Sequence, residues 1–420
     1  MAGEVKGRAM GTPPRTAVRR LALARAISET GSAAAYTALL DAVFIRSGGS
    51  AVWLGLTLFL THGVAGTFGP LGGVLGDRFD RKRVMILSDL AGAVAFLGLA
   101  LVREPGALVA VGFVSALSEI PFWTSSAAAI PNVVEEPEDI AWANSLVTAG
   151  RNAGITLGPL LGGVLVAAVG HEVVFVANAA SFVASVGLVA SVRARFSEDR
   201  TPGDAEEYRG MRAGFRFLFH DRVLRVIAGA WVVVVLGAGI AQVADRPLSA
   251  AFHAGAIGFG LLVALWGLGS VVGSIAARRL TERTEPAWLI GGMAIAGVAA
   301  VGTWASPWFT PIVGLMFLMG FGDAMSEVAD QGIRQRRTPD AVRSRLIASM
   351  ESLVHLAIAI AYVLAAGALA LLGPQGAYAL AGLSSLAAAF LLWPTVRRLR
   401  GGSRRTPVEP HVLPSIGDPT

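Results

Sequence analysis

The sequence predicts an all-α membrane protein with twelve transmembrane helices in two six-helix pseudo-repeats. Three observations carry this prediction. First, 54% of the 420 residues are hydrophobic and 15% are charged, with a mean hydropathy of +0.61, whereas a soluble domain carries about 25% charged residues. Second, the apolar residues fall in runs long enough to cross a bilayer, which takes about 20 residues of helix. Third, the two halves of the chain share features at a nearly constant offset. Inside a bilayer every backbone N–H and C=O must be bonded within its own segment, so these runs form helices.

In order, the runs are 21–45, 51–75, 84–103, 106–130, 140–168, 172–193, 223–249, 255–279, 287–305, 308–330, 343–371 and 376–396. They are rich in Ala and Gly, which lets helix backbones approach closely in lipid. The first run is too long for the apolar core of a signal peptide and reads as a retained helix. Arg and Lys set the orientation. With the N-terminus in the cytoplasm, only Arg46, Arg103 and Arg246 of 33 Arg and 2 Lys fall in outer loops. Arg151 lies inside a span, and the other 31 fall on inner loops or inner helix ends. Both termini are therefore expected in the cytoplasm, which requires an even number of spans. Trp53, Trp304 and Trp308 are expected near the outer interface, and Trp142, Trp288 and Trp393 near the inner one.

The longest polar stretch, 195–222, separates an N-terminal six-helix half (21–194) from a C-terminal one (223–397). Within this cytoplasmic linker Met211–Phe219 reads as amphipathic. Cytoplasmic tails, 1–20 and 398–420, flank the halves. The repeat rests on two matches. GGVLGDRFDRKR (Gly72 to Arg83) corresponds to GSIAARRLTER (Gly273 to Arg283) at an offset of about 200, and PEDIAWANSL (from Pro137) to PDAVRSRLIASM (from Pro339) at 202. A parallel six-plus-six repeat is a known transporter plan.

The segment containing Gly73, Gly76, Asp77, Arg78, Asp80 and Arg81 resembles the loop 2–3 signature of the major facilitator superfamily: a glycine, a small residue, Asp-Arg and a basic run. Small residues let two helices touch at the membrane face. The acid caps or pairs with a neighbouring helix end and with Arg, in contacts that form in one transport state and break in the other. Asp80 stands where the common pattern has Gly, as in the branch of macrolide and siderophore exporters. In the fifth span Gly154, Gly158, Pro159, Gly162 and Gly163 resemble the GxxxGPxxGG signature of drug–proton antiporters. Glycines four apart make a flat helix face, and Pro159 removes a backbone donor. The fourth span departs from many such antiporters in having no Arg; its charge is Glu119.

Ionisable groups within spans are functional candidates, since each costs about 2.5–3.5 kcal/mol at a helix centre on insertion scales. They are Glu119, Arg151, Asp323 and His355, with Glu29 inside the first span and Asp41 towards its outer end. Glu119 and Arg151 are 32 residues apart, as are Asp323 and His355. The spacing suggests an acid on the fourth helix of each half facing a base on the fifth: a buried ion pair in one half, a titratable one in the other. The alternatives are that these groups only fix packing, or that the match is chance. Glu327, Asp330 and Arg334 continue the face of Asp323 and read as a structural ion cluster.

Absent motifs narrow the function. The chain has no Cys, which excludes disulfides, thiolate metal sites and a cysteine nucleophile. Its six His do not cluster at metal-ligand spacing, and there is no phosphate loop of the GxxxxGK[ST] type or GxSxG elbow. The net charge of +6 is spread in short clusters between apolar runs rather than in a stripe, so nucleic acid is not expected as a partner. The resemblance implies a secondary transporter that exports a small amphipathic compound by alternating access, driven by protons, with no cofactor or metal. A monomer in a bacterial inner membrane is expected. Two rivals stay open: a proton-coupled uptake symporter and a non-transporting membrane sensor.

Overall fold

The structure is a computed structural model, and it describes residues 13–64, 67–68, 74–76, 78–134, 137–196, 211–338 and 340–401. These residues form helices: α1 (Pro14–Arg46), α2 (Ala51–Leu58), α3 (Arg81–Leu101), α4 (Pro105–Val133), α5 (Pro137–Val169), α6 (His171–Ser191), α7 (Met211–His220), α8 (Arg222–Ala251), α9 (Gly255–Ala277), α10 (Glu285–Ala305), α11 (Phe309–Arg337) and α12 (Asp340–Gly401). Nine are long and apolar enough to cross a membrane.

Two elements depart from a single regular helix. α2 continues as a π-helical turn over Phe59–Val64, a local widening that is frequent at functional sites. α12 is two helices meeting at Gly373, whose φ of 68° a side chain disfavours. The 62 residues of α12 thus fold as 340–372 and 374–401, and the boundary falls where the sequence places a gap between its last two runs. Elsewhere the described helix ends match the apolar runs within a few residues, except that α1 begins seven residues before its run and α11 continues seven past its own, to Arg337, where Asp330 and Arg334 pair at 2.9 Å along the last turns.

α1, α3, α4 and α6 pack on one another, as do α8, α10, α11 and α12. Two seams join these groups: α5 lies against both α1 and α9, and α2 lies against α12. Phe96, Phe175 and Phe182 fill one part of the core, and Tyr362 and Tyr378 another. The amphipathic α7 lies on α12, with Leu218 buried and Phe219 half exposed. Arg337 ties the end of α11 to the start of α8 by donating to Asp221, the N-cap of α8.

Candidate functional site

The seams are set by glycine. Along α5, a Cβ on Gly154 would lie 2.7 Å from Thr30 N, one on Gly158 2.8 Å from Thr30 O and one on Gly162 2.8 Å from Ala34 Cα. Only glycine permits that approach to α1. Gly163 faces the other way, where a Cβ would lie 3.2 Å from Ala256 C of α9, and Pro159 is buried beside Gly260. The fifth-span motif is therefore a two-sided contact strip. α2 repeats the device with Gly55, whose Cβ would lie 2.7 Å from Tyr362 O.

Within the gating motif, Gly73 and Asp77 lie outside the described residues. Gly76 is buried, with its Cβ position 2.8 Å from Ser125 Oγ of α4. Arg78 is exposed. Asp80 caps α3 by accepting from Arg83 N–H at 2.9 Å. Arg81 is buried and donates to Ala128 O at 2.7 Å, and Lys82 donates to Ala190 O and Val192 O. The basic run thus holds carbonyls near the ends of α4 and α6, which the macrodipole favours.

The two matched pairs do not form. Glu119 accepts from Ser32 Oγ of α1 at 3.2 Å, whereas Arg151 lies 4.2 Å over the ring of Trp123. Asp323 accepts from Trp266 Nε1 of α9 at 3.0 Å, and His355 Nδ1 lies 2.8 Å from Glu351 O in its own helix. The physical reason is packing. α5 lies mainly against α1 and α9, and where Arg151 reaches α4 it meets Trp123, one turn beyond Glu119. Glu29 is paired with Arg25 at 3.3 Å, and Arg25 packs on the other aromatic neighbours, Phe122 and Trp123. In α11 the ion cluster is narrower than its spacing suggests: Asp330 takes Arg334, while Glu327 accepts from Gln331.

Depth follows from a rise of 1.5 Å per residue. Asp323 and Trp266 are each at the middle of their helices. Asp41 is about 16 Å from the middle of α1 and Arg246 about 14 Å from the middle of α8, both towards the end expected outside.

Those two residues meet. Arg246 Nε donates to Asp41 Oδ1, and His171 Nε2 is 2.7 Å from Asp41 Oδ2. Arg246 also covers the ring of Phe44 at 4.7 Å. Asp41 is 1% exposed and Arg246 7%. Arg246, expected in an outer loop, is instead a buried part of α8. Among the described residues this is the one ion pair that joins residues 13–196 to residues 211–401. Arg46, at the same end, pairs with Glu172 at 2.7 Å.

Several polar residues in the spans carry no sequence motif. Asp89 is buried in α3. Asp245 accepts from Tyr378, and Gln242 accepts from the Tyr362 hydroxyl at 2.5 Å. Asp89 and Asp245 are detectable as charges inside apolar runs, but the tyrosines become polar partners only once α8 and α12 are packed. Among the described residues no group of three His, Asp or Glu is arranged to hold a metal.

The model of the Major Facilitator Superfamily matches residues 21–252 and 243–416. The enterobactin exporter EntS of Salmonella choleraesuis (strain SC-B67) is 26% identical over 368 residues, covering 84% of this chain and 86% of the relative. The protein of that name from Escherichia coli O157:H7 is 26% identical over 378 residues, covering 87% of each. Among solved structures, a bacterial homologue of the lysosomal transporter Spinster, inward-facing and unoccupied, matches with a TM-score of 0.70 at 16% identity, over 95% of this chain and 100% of that one. An inward-facing bacterial homologue of ferroportin matches at 0.69 and 17% identity, over 94% and 100%.

Proposed function

The chain belongs to the Major Facilitator Superfamily and is a multi-pass secondary transporter of a small molecule, and we propose that it exports an amphipathic compound from a bacterial cytoplasm through the inner membrane, driven by protons. The reading takes the chain as a monomer of twelve spans: halves at 21–194 and 223–397, a cytoplasmic linker at 195–222, and cytoplasmic tails at 1–20 and 398–420. The observation that carries it is the Arg246–Asp41 tie. One buried charge from each half meets at the outer end and closes that side, and breaking this contact is the differential event that alternating access requires. The loop with Gly73, Gly76, Asp77, Arg78, Asp80 and Arg81 takes the converse role, latching the inner side when the outer side opens. The strip Gly154, Gly158, Pro159, Gly162 and Gly163 is the bearing between the halves.

Glu119, Asp323 and His355 are the proton carriers to test first, with Glu29 and Arg151 beside them. The relatives that bear the name of an exporter support the direction of transport. The test is flux in inside-out vesicles with an acid interior, using a panel of fluorescent amphipathic compounds. Accumulation that collapses with an ionophore is expected. Accumulation in right-side-out vesicles instead makes the protein an uptake symporter, and saturable binding without flux in either orientation makes it a sensor.

A further inference from the structure

On the first part of the chain, three side chains from three helices meet near the membrane centre. Trp123 of α4 is 43% exposed. The guanidinium of Arg151 lies 4.2 Å from its ring centroid and that of Arg25 5.0 Å. Helix geometry puts Arg151 about 3 Å, Trp123 about 6 Å and Arg25 about 8 Å from the middles of their helices, all towards the end expected inside. The three therefore share one level.

The two cations are not equivalent. Arg25 is buried and neutralised by Glu29 at 3.3 Å. Arg151 makes no ion pair or hydrogen bond among the described residues, and its Nε is buried without a partner. The nearby Glu119 is held by Ser32. The two guanidiniums flank one ring with Glu29 paired to Arg25, and a bound anion gives Arg151 a direct partner.

α5 also tells which way Arg151 faces. One flank of the helix exposes Leu157, Leu161 and Val164, a surface for lipid. The opposite flank, between the α1 and α9 contact strips, carries Thr148, Arg151 and Asn152. A cation is affordable there only if the flank faces water or ligand. An exposed indole beside it offers a flat face, and a guanidinium offers planar bidentate donors to a carboxylate.

We propose that Arg151, Trp123 and Arg25 form a binding site on the transport path for an aromatic anion, a ring that carries a carboxylate or phenolate. The ring stacks against Trp123 and the anionic oxygens take the free donors of Arg151. This names the substrate class of the export reading and rests on it.

The test is calorimetric binding to the purified full chain of three naphthalene probes of one shape: 2-naphthoate, neutral 2-naphthamide and cationic 2-naphthylmethylammonium. The anion binds about tenfold or more tighter than either analogue, the worth of a charge-assisted hydrogen bond. Arg151→Gln removes that preference and leaves the amide unchanged. Trp123→Ala weakens all three. If Arg151→Gln does not fold, Arg151→Lys serves: it keeps a charge but lacks the fork, and the anion preference still falls several-fold. Equal or tighter binding of the cation, an anion preference unchanged in the Arg151 variant, or no saturable binding of naphthoate overturns the proposal. Export is scored separately by vesicle flux. Naphthoate binding without accumulation leaves the site standing and removes the export reading, and accumulation of other compounds without naphthoate binding does the reverse.

Discussion

Residues 13–196 and residues 211–401 place charges at similar depth in their helices, and they use them differently. In residues 13–196 the charges converge: Arg25 pairs with Glu29, Glu119 sits on Ser32, and two guanidiniums flank Trp123. In residues 211–401 they stay apart: Asp323 holds an indole N–H, and His355 leans on its own helix. The equal spacing of Glu119–Arg151 and Asp323–His355 is therefore not matched by equal contacts: each base meets a neighbour other than the acid 32 residues before it.

The largest expected effect is at the one ion pair joining the two parts. Arg246→Met leaves Asp41 buried with His171 alone, at a cost to the outward-closed arrangement of about 3 kcal/mol. Because the chain has no Cys, a single Phe44→Cys reporter reads this directly. Labelling from outside by an impermeant maleimide should rise by roughly a hundredfold. Unchanged labelling would mean that the glycine seams, rather than the ion pair, keep the two parts together.

Next is the seam itself. Gly158→Leu forces a side chain against the Thr30 carbonyl, and overpacking of this kind costs about 1–3 kcal/mol. A clear loss of thermal stability is expected in detergent. Gly187→Leu in α6 is the comparison, since nothing lies within 4 Å of its Cβ position; its melting temperature should stay near that of the wild type. Equal losses would show that α1 and α5 yield more easily than their close approach suggests.

A third pair of variants separates the two charged centres. Asp323→Asn keeps an acceptor for Trp266 and removes the charge at the helix middle. Proton-driven accumulation should drop about tenfold, corresponding to about 1.4 kcal/mol. Glu119→Gln should do less, because Arg25, Glu29 and Asp89 remain around it. The reverse order, measured in the same vesicles, would move proton coupling to the first part of the chain.

The smallest effect is at the loop. Asp80→Ala removes the N-cap of α3, worth about 1 kcal/mol. Amide exchange in the first turn of α3 should speed up while the rest of the helix is unchanged. Slower transport with no change in exchange would point to gating rather than capping.

The sequence by itself determined the helices, their order and the kinked junction in α12, since each follows from local terms: run length, hydropathy, and a glycine able to take positive φ. It also showed which residue types were unusual, because a charge inside an apolar run stands out without knowledge of any neighbour. Glu119, Arg151, Asp323 and Asp41 were all legible in that sense. Their partners were not. Arg246 counts with the outer-loop cations by the charge rule although the run 223–249 contains it, and only packing sets it on Asp41, 205 residues away. Tyr362 and Tyr378 carry no signal in the sequence, and packing gives them Gln242 and Asp245. Helix formation is decided within a few residues of chain. The partner of a buried charge is decided by how helices rotate and which faces meet, and in this protein the glycines of α5 draw it against α1 and α9, so that Arg151 meets α4 at Trp123 and not at Glu119.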